Sequence, residues 1–271
     1  MLQNRLFCGA AIGLAFVASG GAASAASFVN GGFEDGTTNG WTQAGGNRAG
    51  IPNSILSPTT LAADSSADGG RSQIMNTGDV DPRVGAALGS VVQSGSHSVR
   101  IEDTTTGGFA TVLAQTVNNY TDSDIFFAWK AVLEGAHGVD DAATMIITLT
   151  DLTTSTELIR RQFNAADDGS GVDPRFSFDG DNFYTANWQI EQLSIGAGLS
   201  GHDFALSVLA SDCQPTGHWG YVYLDGFGAV APPPGPIGGI PEPSTWAMLI
   251  VGMGLSGAAL RRRRRHSLAA A

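Results

Sequence analysis

Between its two apolar ends this chain holds no run of helical periodicity longer than about ten residues. That restricts the body to β-structure. Thr144–Leu152 reads TMIITLTDL, a polar Thr153-Thr154-Ser155-Thr156 stretch follows it, and Glu157–Phe163 resumes strand-like sequence, so the pattern predicts a hairpin closed by those four residues. Val99 and Ile101 alternate with Arg100 and Glu102. Ala110–Val117, Ile125–Leu133, Trp188–Ile195, Asp203–Leu209 and Gly220–Phe227 are rich in Val, Ile, Thr, Phe and Tyr, the residues that fit a half-buried pleated surface. Short strands separated by Gly, Asp and Asn turns predict one all-β domain over residues 26–230, a jelly-roll β-sandwich. Two stretches, Thr59–Gly89 and Ala165–Asn182, read as long loops.

The ends carry different information. Arg5 precedes a mostly apolar stretch from Leu6 to Val17, and Ala23-Ser24-Ala25 offers a small-x-small cleavage site, so residues 1–25 are expected to be a signal peptide. Cys8 stands at the start of that apolar stretch, which is the wrong end for a lipidation site. Beyond residue 230, Pro232-Pro233-Pro234-Gly235-Pro236 opens a stiff, extended spacer (231–240). Next come Pro241-Glu242-Pro243, an uncharged stretch over 244–260, and five arginines, Arg261 to Arg265. As a helix, 244–260 would rise about 25 Å at 1.5 Å per residue, slightly short of a hydrocarbon core of about 30 Å. Trp246 can anchor one interface, and the arginines hold the other end in the cytoplasm. A transmembrane helix at 244–260 is therefore expected, with the body on the outer side of the inner membrane.

Residues 26–240 hold 8 basic and 24 acidic side chains, a formal charge of −16, and Lys130 is the chain's one lysine. A surface so acidic repels nucleic acid and anionic headgroups, and suits divalent cations or neutral polymers. Roughly 215 residues suffice for one sizeable core. With Cys213 the only cysteine left after leader removal, no internal disulfide forms, and a buried free thiol is expected.

The tail, in its order of Pro-Glu-Pro, apolar span and arginine cluster, resembles the PEP-CTERM sorting tail of Gram-negative bacteria. Pro241, Glu242, Pro243, Trp246 and Arg261, Arg262 and Arg263 carry that resemblance over about 25 residues. It implies export, a transient inner-membrane anchor, an exosortase-type processing enzyme as partner, and a destination at the cell surface or in the extracellular matrix.

The body's opening, Phe28-Val29-Asn30-Gly31-Gly32-Phe33-Glu34, and its close, Tyr221-Val222-Tyr223-Leu224-Asp225-Gly226-Phe227, together resemble the galactose-binding-like jelly roll of many carbohydrate-binding modules. The resemblance implies that first and last strands are neighbours and that Glu34 and Asp225 share a structural calcium, with backbone carbonyls completing an oxygen cage. The alternative is that Glu34 caps a turn and Asp225 shapes a strand end. The last third, from Trp188 to Tyr221, with Ala131-Val132-Leu133-Glu134 upstream, is similar to β-sandwich modules of bacterial surface proteins. Asp212, Cys213 and His218 could gather with His137 around a metal, but the spacing is loose, and a His–Asp hydrogen bond between neighbouring loops explains the same residues.

Sugar binding would need exposed aromatic faces. Trp41, Trp219 and Tyr184 lie in Gly- or Asn-rich settings and are the candidates for ligand stacking, each weighed against simple core packing; Trp129, in FFAWKAV, is expected in the core. Gly196–Gly201 matches dinucleotide-binding spacing, but a strand-like run follows it where a helix is required. Asp179-Gly180-Asp181-Asn182 lacks the remaining positions of a calcium loop. No Gly-x-Ser-x-Gly or His-Glu-x-x-His occurs, and no carboxylate pair stands out as catalytic. The sequence therefore reads as an exported, non-catalytic surface or matrix protein that binds polysaccharide, with a scaffold that binds no sugar, or an exopolysaccharide hydrolase, as the alternatives.

Overall fold

The computed structural model describes residues 28–59, 61, 68–135, 137–166 and 173–233. The expected signal peptide, transmembrane helix and sorting residues Pro241, Glu242, Pro243, Trp246 and Arg261 to Arg263 lie outside them. Among the described residues no helix is long and apolar enough to cross a membrane.

Among the described residues twelve strands form two sheets: β1 (Thr42–Asn47), β2 (Gln73–Asn76), β3 (His97–Ile101), β4 (Phe109–Tyr120), β5 (Asp124–Glu134), β6 (Thr144–Asp151), β7 (Thr156–Asn164), β8 (Ser177–Phe178), β9 (Asn182–Tyr184), β10 (Gln189–Ser194), β11 (His202–Ser211) and β12 (Gly220–Gly228). A five-stranded antiparallel sheet runs β1-β4-β11-β6-β7. A seven-stranded sheet runs β2-β3-β12-β5-β9-β8, with β10 also paired to β5. The sandwich predicted from alternation is present, and the predicted β6–β7 hairpin forms with Thr144 opposite Asn164.

The period of two decides which residues fill the space between the sheets. On β5, Phe127, Trp129, Ala131 and Leu133 point inward; on β12, Val222 and Leu224 do, and on β11, Phe204, Leu206, Val208 and Ala210. Trp129 is fully buried, as expected, stacked on Phe163 with ring centroids 5.0 Å apart.

Three expectations need correction. The first and last strands are not neighbours: β1 pairs β4 at the edge of one sheet, and β12 lies between β3 and β5 in the other. What approaches β12 is the coil before β1, where the Phe227 amide donates to the Gly31 carbonyl at 2.9 Å. Gly31 permits this because a Cβ there would stand 2.2 Å from the Phe227 carbonyl oxygen. The stretch Thr59–Gly89 is not wholly loop; it contains β2 and a 3-10 turn, Gly85–Leu88. Likewise Ala165–Asn182 contains β8 and the start of β9. Strands of two to four residues are too short to show periodicity.

Residues 77–96 then fold back over the outer face of the seven-stranded sheet. Leu88 and Val91 pack there against Met75, Val132, Tyr221 and Tyr223, with Tyr184, Trp188 and Trp219 at the margin.

Candidate functional site

The outer face of the seven-stranded sheet brings most of the candidate residues together. Tyr221, Tyr223 and Asp225 alternate along β12 with the inward Val222 and Leu224, so all three stand on the outer face. Asp81, from the covering segment, accepts both tyrosine hydroxyls, Tyr221 at 2.9 Å and Tyr223 at 2.7 Å. Lys130 on β5 donates to the Leu88 carbonyl at 2.5 Å, and its ammonium lies 5.8 Å from the Trp188 ring centroid. Burial pulls Lys130 down to about 8, with Asp81 opposing the fall. Sequence reading passed over Asp81 altogether. The one available signal was the isolated lysine amid apolar residues of β5.

Tyr184 and Trp219 sit at one end of this face, half-buried. The Trp219 indole N–H donates to Asn182 Oδ1 at 2.9 Å, and the Arg83 guanidinium lies 3.6 Å over its ring. Phe178 is exposed and stacked on Phe183 at 4.5 Å, but it pairs with Phe183 and not with Tyr184, so it stands on the opposite face of β8 and β9 from Tyr184. Trp41 does not join them. It is buried among Phe28, Phe33 and Phe227, 4.5 Å from the last, and its indole N–H donates to the Asn30 carbonyl at 3.2 Å. Three neighbouring phenylalanine rings enclose its faces, so Trp41 offers no surface to a sugar and belongs to the core.

Glu34 and Asp225 approach each other beneath the loop 93–97. Asp225 Oδ2 accepts the Gln93 and Ser94 amides at 3.0 and 3.1 Å. Glu34 accepts the Ser96 and His97 amides, at 3.0 and 3.1 Å. A Cβ on Gly32 would stand 3.6 Å from Glu34 Cγ and 3.7 Å from Asp225 Oδ1, which puts both carboxylates beside one glycine. Asp225 Oδ1 and Gln93 Oε1 are buried oxygens without a hydrogen-bond partner among the described residues. Burial pushes Asp225 up to about 7; the amides oppose this and the charge of Glu34 adds to it. Buried oxygens short of donors beside a second carboxylate fit a hard cation, so the residues present suit a calcium ion.

A second acid pair has a different character. Glu102 and Asp212 are both buried, and burial raises both, Asp212 to about 7. Such pairs mark catalytic clefts in many proteins. Here the four oxygens are engaged: Arg71 and Thr111 donate to Glu102, and the Phe109 and Gly220 amides to Asp212. The pair ties β4 to the β11–β12 crossover. Asp212, engaged in this way, is not among the donors gathered around the cysteine that follows it. Cys213 is a buried free thiol, as expected, and its sulfur lies with His137 and His218, their ligand atoms all within 4.8 Å of one another.

Residues 239–265 match the PEP-CTERM protein-sorting motif. No curated protein matches the chain. In fold the chain is similar to TmCBM61, solved in complex with beta-1,4-galactotriose, at 12% identity and a TM-score of 0.42, over 74% of this chain and 96% of that one. It is also similar to the CBM22-1 xylan-binding domain of Xyn10C from Paenibacillus barcinonensis, at 16% identity and a TM-score of 0.31 over 76% and 96% of the two chains. A third similarity is to the K2 cleaved adhesin domain of Lys-gingipain, 16% identical with a TM-score of 0.35 over 73% and 94%.

Proposed function

We propose that this chain is an exported, non-catalytic β-sandwich that its tail delivers to the cell surface or extracellular matrix, where the body binds polysaccharide. The match of residues 239–265 to the sorting motif carries the proposal. In this reading 244–260 anchors the chain in the inner membrane with Arg261 to Arg265 inside, and an exosortase-type enzyme releases the body near Pro241-Glu242-Pro243. The Arg block explains the orientation, since cationic residues resist translocation.

The polysaccharide would meet the aromatic margin at Tyr184 and Trp219, flanked by Trp188. Flat rings stack on the C–H faces of pyranoses, and Arg83 lies beside them to bond hydroxyls. Arg83 must swing off the Trp219 ring for a sugar to take its place. The net acidity of the body favours neutral polymers over polyanionic ones. A structural calcium between Glu34 and Asp225 would neutralise the buried carboxylate and fasten the loop 93–97 to β12.

One observation favours a second reading. Residues 77–96 already fill the outer face of the sheet, which suits a matrix scaffold that binds no sugar. Full-length protein in affinity electrophoresis through its host's own exopolysaccharide separates the two. The sugar-binding reading expects retardation, weakened about tenfold (roughly 1.4 kcal/mol) by Trp219→Ala or Tyr184→Ala. Equal mobility with and without polymer would leave the scaffold. Release of reducing sugar from that polymer would overturn both in favour of a hydrolase. Tail function is read separately: removing residues 241–271 should leave the body free in the periplasm instead of membrane-bound or surface-displayed.

A further inference from the structure

Two loops meet at one end of the sandwich. The β5–β6 connection brings His137, and the β11–β12 crossover brings Cys213 and His218. Both are fastened. The Gln214 amide donates to the Asp141 carbonyl at 2.8 Å, joining the loops. Asn53 donates to the Val139 and Ala142 carbonyls at 2.8 and 3.0 Å, and the Asn53 amide to that of Asp140 at 2.6 Å. Arg48, fully buried, donates to Asn53 Oδ1, Ser211 Oγ and the Asp212 carbonyl and so braces the crossover beside Cys213.

This frame holds three soft or borderline donors together. Cys213 Sγ and one nitrogen from each imidazole lie within 4.8 Å of one another, and the two rings meet edge to face at 4.6 Å. A tetrahedral zinc ion would hold such donors at roughly 3.3–3.6 Å from each other, given its bond lengths of about 2.0–2.3 Å. The donors stand wider apart than that, and coordination would draw them together by up to about 1.5 Å. Cys213 Sγ accepts the Gly217 and His218 amides at 3.1 and 3.2 Å, an arrangement that stabilises charge on sulfur. His137 Nε2 is buried and has no hydrogen-bond partner among the described residues. A buried acceptor left open costs free energy that a bound ion would recover. No second cysteine lies among the described residues, so a disulfide is not the explanation there.

We propose that His137, Cys213 and His218 form a binding site for a zinc-class transition-metal ion and supply three of its ligands. Coordination replaces the thiol proton: the sulfur's electron pair passes to the metal and the proton to solvent. Nitrogen and sulfur donors exclude calcium here, so this centre is chemically separate from the oxygen site at Asp225.

The test uses the full-length chain, stripped of metal and titrated with Co2+ as a spectroscopic probe. The proposal expects one equivalent to produce a sulfur-to-cobalt charge-transfer band, Zn2+ to abolish it and Ca2+ to leave it unchanged. Cys213→Ser should remove the band. Because Cys213 lies in the core and that variant can misfold, His137→Gln and His218→Asn are measured beside it, with circular dichroism to establish their fold. Each should weaken binding by more than about tenfold. Absence of the band in the folded wild-type chain overturns the proposal. So does a band that persists at wild-type affinity in both histidine variants, since the two imidazoles would then not be ligands.

Discussion

Asp225 shows how a single residue can be read only once its surroundings are known. It is a strand residue on β12, yet one of its oxygens receives two amides and the other receives none among the described residues. Without a cation that buried charge is a liability. Asp225→Asn should therefore leave melting in chelator unchanged or raised, while removing the rise that calcium gives the wild type. A wild-type melting temperature indifferent to both calcium and chelator would discard the ion. Trp41 and Trp129 teach a related lesson. Both are buried indoles, but only Trp129 lay in an apolar run that announced it. Trp41 follows a turn of Thr, Asn and Gly and is drawn inward by Phe28 and Phe33, shortly upstream, and by Phe227 from the far end of the body.

At the scale of elements, the strands of six or more residues other than β1 were legible from alternation, because each has one face on the core and two-residue periodicity survives any tertiary arrangement. β1, TQAGGN, has almost no apolar content, and β2, β8 and β9 are too short; their partners create them. The covering segment 77–96 was equally hidden. Its attachment depends on Asp81, which also receives the Arg83 and Val84 amides at 2.9 and 2.6 Å. Asp81→Ala strands two buried tyrosine hydroxyls, and an unsatisfied buried group costs about 1–3 kcal/mol. The variant should lose about 3 kcal/mol in denaturant melts and expose 77–96 to limited proteolysis before the sandwich is cut. Wild-type proteolysis in the variant would mean that Leu88 and Val91 hold the segment by burial alone.

The molecule as a whole carries several acids displaced upward by burial. Asp212 and Asp225 both stand at about 7 in the folded chain, against 3.8 for an ordinary aspartate. The folded state then binds more protons than the unfolded one between those values, so these two groups make stability fall as pH rises from about 4 to 7. Asp151 acts in another window: burial raises it, but the Thr154 hydroxyl, His202 and the Thr153 and Thr154 amides outweigh burial and hold it at about 2, so its contribution is lost only below about 3.8. Metal-free protein should accordingly melt lower at pH 8 than at pH 5, and calcium should flatten the Asp225 share of that slope. A melting temperature that climbs from pH 5 to pH 8 in chelator would contradict this account.

The sequence by itself determined the all-β class, the buried place of Trp129, the free thiol at Cys213 and the sorting motif at 239–265, because periodicity, composition and a contiguous signal are local properties that no folding can rearrange. Tertiary structure alone decided that Trp41 turns inward while Tyr184 and Trp219 share a margin. It decided also that β12 lies between β3 and β5, and that His137, from a distant loop, joins Cys213 and His218 in a cluster that leaves out the adjacent Asp212. Those outcomes depend on which strands pair and where loops cross, and such contacts join residues too far apart in the chain for any local pattern to record them.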